Sequence, residues 1–160
     1  NEQKKASNML VVLSGPEPQR TIFEKKILAQ LCNSTISTTI VRGLFPKEKT
    51  SQNGIIVHNY LGTDELQKAI DAADIVLSRP GYSSIMDLAT IGKKAIFVPT
   101  PGQTEQEYLA TLYKDKGIAY SEKQSDFNLE RALEKSINYK GLKAPIDNKT
   151  IKQEVNLILG

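Results

Sequence analysis

Short apolar runs recur along this chain, each separated from the next by a stretch of helical periodicity, and this rhythm constrains the fold more than any other feature. MLVVLSG (9–15), STTIVRG (37–43), IIVHNYL (55–61), DIVLSRP (74–80), KAIFVPT (94–100) and IAYS (118–121) are too short for buried helices. Several are rich in β-branched residues, and they read as buried strands. Helical patterns follow them. In QRTIFEKKILAQLC (19–32), Ile22, Phe23, Lys26, Ile27, Gln30 and Leu31 share one side. TDELQKAIDAA (63–73) has Thr63 or Asp64 as its expected N-cap, and Gly92 and Gly117 close SSIMDLATIG (83–92) and TEQEYLATLYKDKG (104–117). Asp126 is the expected cap of DFNLERALEKSIN (126–138), and NKTIKQEVNLILG (148–160) makes a last helix. The polar stretch GLFPKEKTSQNG is expected to be a loop. Strands alternating with helices define an α/β class: a Rossmann-like, mostly parallel sheet with helices on both faces.

The length of 160 residues suits a single domain, 1–160, with a sizeable core. Hydrophobic residues make up 39% and charged residues 24%, an ordinary balance for a soluble globular chain. The net charge of +3 is spread out, with no aromatic-interleaved basic patch, so no nucleic-acid partner is expected. The lone Cys32 excludes an intrachain disulfide, fits a reducing compartment, and is expected half-buried at a helix end. One His and one Cys cannot build the usual metal sites, so neither metal nor cofactor is expected, and His58 is expected to be packed in its strand. No apolar run reaches the roughly 18 residues of a membrane helix. The polar start NEQKKASN is no signal peptide, and without an initial Met it is expected to mark a domain cut from a longer protein.

In parallel sheets ligands bind beyond the carboxyl ends of the strands. The relevant loops are therefore 14–20, 42–54, 59–64, 78–84 and 99–107. In SRPGYSSIMDLATIG (78–92) the turn at Gly81 would leave the amides of Tyr82, Ser83 and Ser84 pointing out of a helix N-terminus, a ready anion site. Arg79 would add a planar cationic fork. Asp87, at i+4 from Ser83, would face the same side and suit the paired hydroxyls of a ribose. The plain alternative stands equally: a serine caps the helix and Asp87 offsets its dipole. In TPGQTEQEYLA (100–110), Gln103, Glu105 and Gln106 suit sugar hydroxyls. A Thr104–Glu107 capping box would explain those two residues but not Gln103 or Gln106. SGPEPQR (14–20) is neither a dinucleotide fingerprint nor a Walker loop, yet Gly15 lies in it and Arg20 could reach an anion.

Together these motifs resemble the donor-binding C-terminal domain of family 28 glycosyltransferases. ADIVLSRPGYSSIMDLATIGKKAIFVPTPGQTEQEYLA (73–110) carries the resemblance, with VHNYLGTDELQKAIDAA (57–73) and, weakly, LSGPEPQRT (13–21). The resemblance implies the C-terminal half of a GT-B fold and, for the full protein, transfer of a GlcNAc-like hexosyl group from a UDP-sugar to an acceptor hydroxyl. It implies that Leu61 offers its backbone to uracil with Tyr60 beside it. Gly81, Tyr82, Ser83 and Ser84 would hold the diphosphate, Arg79 matches the arginine before the glycine turn, and Asp87 replaces the glutamate that binds ribose. Glu105 and Gln106 match the glutamine pair that touches the donor sugar. The first loop, Ser14-Gly15-Pro16-Glu17-Pro18, departs from the family's glycine-rich pattern, and Leu109 replaces an asparagine. The catalytic base and acceptor surface would lie in an N-terminal domain or partner subunit absent from this chain. The full enzyme would be cytoplasmic, peripheral at the inner face of the membrane. A nucleotide-sugar hydrolase or epimerase on the same scaffold, and a non-catalytic subunit of a split glycosyltransferase, are the alternatives.

Overall fold

The computed structural model describes residues 4–143 and 148–159. The elements run β1 (Asn8–Val12), α1 (Gln19–Leu31), β2 (Ser37–Val41), β3 (Lys49–Gln52), β4 (Ile55–His58), α2 (Thr63–Ala72), β5 (Ile75–Ser78), α3 (Tyr82–Ile91), β6 (Lys94–Phe97), α4 (Thr104–Asp115), β7 (Tyr120–Ser121), α5 (Leu129–Ser136) and α6 (Asn148–Leu159). The sheet order is β3-β4-β2-β1-β5-β6-β7. Every neighbouring pair is parallel except β3 with β4. The chain builds outward from β1 through β2 to β4, then returns to β1's other side as β5. The carboxyl ends of β1 and β5 thus flank the point where the connections diverge, which is where such sheets place a ligand.

Register explains the double-sided burial. Val11 pairs with Ile40 and Leu77, and Leu77 with Ile96, so these four form one row. That row packs under Phe23 and Ile27 of α1 and Leu129 and Ala132 of α5. One residue earlier, Leu10, Val76 and Ala95 face the opposite side, against Ile70, Ile85, Leu88, Leu109 and Val155 from α2, α3, α4 and α6. A one-residue slip would move each set to the wrong layer.

The strands are shorter than their apolar runs. β5 stops at Ser78, β6 at Phe97 and β4 at His58, so Arg79, Thr100 and Leu61 lie in loops at the carboxyl edge. The polar stretch expected to be all loop contains β3. Its four residues are exposed, so no alternation marks it. Backbone pairing to β4 through the tight turn at Asn53 and Gly54, both at positive φ, makes the strand. Helix starts also differ. Gly62, rather than Thr63 or Asp64, is the N-cap of α2. Asp126 ends a 3₁₀ turn, while buried Phe127 is drawn into the core and Asn128 caps α5 by accepting from Arg131 N. In α1 the buried side is Arg20, Phe23, Glu24, Ile27 and Leu31, and Ile22 is left 48% exposed. Cys32 is exposed rather than half-buried.

At the sheet's amino edge Asp74 buckles β1 to β5. Its Oδ2 accepts from Ser7 N and Ser7 Oγ at 2.8 Å and from Asn8 N at 3.1 Å. The Ser7 amide, then the Ser7 hydroxyl and the Asn8 amide, hold its carboxyl below the ordinary range. A depressed carboxylate stabilises the fold above its unfolded value and loses that contribution as pH falls through the folded one. Stability should therefore decline below about pH 4. Asp74→Asn should lower the neutral-pH urea midpoint and flatten this acid limb.

Candidate functional site

The glycine turn opens α3 at the carboxyl end of β5. Gly81 is the N-cap, extended at φ −94° and ψ 159°, and no side chain caps the helix. The Gly81 amide donates to Arg79 O at 3.0 Å, and Ile85 N donates to Gly81 O at 3.0 Å. Between them the amides of Tyr82, Ser83 and Ser84 meet no acceptor among the described residues. A Cβ added at Gly81 would meet nothing within 4 Å, so the turn that leads into these donors borders open space. The capping role considered for Ser83 or Ser84 is not used. Three free amides at the positive end of a ten-residue helix are an arrangement that can accept an anion. Asp87 lies one turn further, exposed, with no bonding partner among the described residues.

Arg79, expected to face the anion, is buried instead, 3% exposed. Its Nη1 donates to Val98 O and Pro99 O at 3.0 and 3.3 Å, and its Nη2 to Gln124 Oε1 at 2.6 Å. The guanidinium lies 4.4 Å from the Phe23 ring centroid. Its Nε has no partner among the described residues, and burial pushes its pKa down to about 10. The side chain turned inward because the ends of β6 and the 3₁₀ turn present carbonyl and amide oxygens that only a forked donor satisfies together. Arg20 is likewise enclosed, 7% exposed. It bonds Glu17 at 2.7 Å, Glu24 at 2.9 Å and Thr21 Oγ1 at 3.0 Å, while Glu24 also takes Arg42 Nε at 2.6 Å. Its charge is committed to carboxylates rather than open to a ligand.

Gly15 adopts φ +98°, and its position brings the first loop against Thr100, whose Oγ1 would stand 3.5 Å from an added Cβ. That Thr100 hydroxyl is buried without a partner among the described residues. Its amide donates to Gln106 Oε1 at 2.8 Å, and Gln106 Nε2 reaches Gln103 Oε1 at 3.5 Å. Gln106 and Gln103 therefore brace the 100–106 loop. The expected Thr104 cap is absent: Gln103 is the N-cap, and Glu107 accepts from Gly102 N at 3.1 Å. Glu105 stands near the Tyr82 phenol, whose pKa is raised by burial and then by that carboxylate. Lys152 of α6 lies 5.9 Å from the Tyr82 ring.

Tyr60 and Leu61 follow β4. Leu61 packs against the second core layer, and the Tyr60 ring stacks on Phe45 at 4.5 Å and 27°. His58 is half-buried, and burial followed by Lys49 pushes its pKa down. Among the described residues no three His, Cys, Asp or Glu side chains gather, and no helix is long and apolar enough to cross a membrane. Phe45, Thr100 and Gln124 are the site neighbours that sequence reasoning passed over. Only Phe45 had a signal, as an aromatic residue in a polar loop.

A parallel sheet with an open helix N-terminus beside its switch point defines a Rossmann-like domain whose ligand edge is the strands' carboxyl side. The particular family follows from comparison. The model of the glycosyltransferase family 28 C-terminal domain matches residues 10–157, and the chain belongs to that family. It is 28% identical over 134 residues to the UDP-N-acetylglucosamine–N-acetylmuramyl-(pentapeptide) pyrophosphoryl-undecaprenol N-acetylglucosamine transferase of Sulfurihydrogenibium sp. (strain YO3AOP1), covering 81% of this chain and 38% of that protein. The chain thus spans well under half the length of that curated relative. Its fold matches Acinetobacter baumannii MurG with a TM-score of 0.56 at 17% identity, over 98% of this chain and 50% of that one. It matches ALG13 with a TM-score of 0.60 at 15% identity, over 95% of this chain and 96% of that one. The fold is that of one half of a GT-B glycosyltransferase.

Proposed function

We propose that this chain is the donor-binding domain of a glycosyltransferase that moves a GlcNAc-like hexosyl group from a UDP-sugar to an acceptor hydroxyl. The observation that carries the reading is the α3 N-terminus, where the amides of Tyr82, Ser83 and Ser84 have no protein acceptor among the described residues and the Gly81 turn before them is open. Family membership and the substrate named for the Sulfurihydrogenibium relative support it.

Glycosyl transfer leaves negative charge on the departing diphosphate. Fixed donors aimed at that charge lower the barrier without reorganising. The three amides and the helix dipole supply them, so no metal or other cofactor enters the proposal. Asp87 accepts from the ribose hydroxyls, the Leu61 backbone meets the base, and Glu105 faces the donor sugar. Gln103 and Gln106 shape the loop below that sugar, and Gly15 closes the first loop against Thr100. Arg79 and Arg20 act from inside, as braces. The catalytic base and acceptor wall come from an N-terminal domain or a partner subunit. The Sulfurihydrogenibium relative's name includes a pyrophosphoryl-undecaprenol, a lipid-linked group, which supports a full protein that works at a membrane surface.

Calorimetric titration with UDP, UDP-GlcNAc, GDP and pyrophosphate tests this. UDP and UDP-GlcNAc should bind more tightly than GDP. Asp87→Ala should weaken UDP about tenfold, the value of one lost hydrogen bond to a charged group. It should leave pyrophosphate unchanged, whereas Ser84→Ala, which keeps the amide but removes a hydroxyl that donates to the diphosphate in this reading, should weaken both. Equal UDP affinity in wild type and both variants would sink the assignment.

A further inference from the structure

Of the large apolar side chains in the described residues, Phe45 is 76% exposed yet held in place. One face of its ring stacks on Tyr60. The loop carrying it is stapled on both sides by one residue, Asn59. Leu44 N donates to Asn59 O at 2.7 Å, Asn59 Nδ2 donates to Pro46 O at 3.0 Å, and Asn59 N donates to Glu48 O at 2.8 Å. Arg42 Nη1 then holds Asn59 Oδ1 at 3.2 Å. A phenyl ring kept in water by bonding on both sides of its loop is preorganised for a flat partner, because the ordering entropy is already spent.

Its position suits one partner. The stack stands at the end of β4, beside the Leu61 backbone, while the amide cradle stands at the end of β5. Sheet order places β2 and β1 between them, three strand spacings or about 14 Å. A nucleoside diphosphate lies across such a span, with phosphates at one end and base at the other. We propose that Phe45, backed by Tyr60, is the aromatic wall on which the nucleobase of the bound nucleotide stacks. The inference rests on the donor-binding reading and adds to it a residue that loop 42–48 alone supplies. Every base has a π-face, so this wall gives affinity without choosing among bases. Choice among bases is left to the Leu61 backbone.

The chain contains no tryptophan, so Phe45→Trp installs a single indole reporter. The wild type, Phe45→Ala and Phe45→Trp are titrated with UDP and with pyrophosphate, which fills the cradle but has no base. Phe45 is largely exposed, so neither substitution should shift the melting temperature. Phe45→Ala should weaken UDP about tenfold or more and leave pyrophosphate unchanged. Phe45→Trp should bind UDP as the wild type does, with its emission quenched by UDP and not by pyrophosphate. If UDP binds all three equally, or the indole ignores it, the wall is refuted while the donor reading stands. That result would assign the exposed ring to a protein contact. If neither UDP nor pyrophosphate binds the wild type at millimolar concentration, both readings fall.

Discussion

Arg79→Met should destabilise the protein by about 3 kcal/mol, read as a lower urea midpoint at unchanged slope. Two opposing effects set this figure. The buried guanidinium has no carboxylate beside it among the described residues, and burial pushes its pKa down to about 10. Taking that charge out of water opposes folding. Against this, the side chain makes three hydrogen bonds, to Val98 O, Pro99 O and Gln124 Oε1. Bonds from a charged donor contribute about 1.5–3 kcal/mol each. The contact with Phe23 adds a further share. Methionine removes both the charge and the bonds, and the bonds are worth more. It also leaves two buried carbonyls and one amide oxygen without a donor. Arg79→Lys should not restore stability, because one ammonium cannot reproduce a fork that spans β6's end and the 3₁₀ turn. If the midpoint is unmoved in Arg79→Met, the side chain does not brace this edge.

The second large effect is expected from one backbone amide. Tyr82 is the first residue of α3, and Gly81 before it is extended. Proline is tolerated at a first helical position, and an extended residue accommodates the ring that follows it. Tyr82→Pro should therefore keep the helix while deleting one donor from the cradle. Tyr82→Ala removes the same phenol and keeps the amide, so the comparison of these two variants isolates the N–H. Affinity for UDP and for pyrophosphate should be about tenfold to a hundredfold lower in the proline variant, the value of a hydrogen bond to a charged group. Melting temperatures should agree between the two. Equal affinities would show that the diphosphate does not sit on this helix end.

Much of this architecture was legible in the chain. The β-branched runs around Val11, Ile40, Leu77 and Ile96 could only be strands covered on both faces, and Gly92 marked the left-handed end of α3. SRPGYSS identified an open helix start through its glycine, and that geometry holds. Elements made by backbone pairing alone were silent. β3 has four exposed residues and no pattern, so only the Asn53-Gly54 turn announced it. Cap identity was also ambiguous, because Asp126 and Asn128 are both good caps. The burial of Phe127 decided between them.

Local chemistry and periodicity thus specified the layers, the switch point and the free amides of α3, since each depends on residues close together in the chain. The direction of long side chains did not follow from neighbours. Arg79 meets Gln124, 45 positions away, and Arg42 meets Glu24 across 18. Phe45 finds Tyr60 only because β3 pairs back on β4, which brings the loop before β3 against the end of β4. A guanidinium or ring settles where distant strand ends happen to supply acceptors or faces. That supply exists only once the sheet is assembled, which is why the sequence read Arg79 and Arg20 as facing an anion and the folded chain turns both of them in.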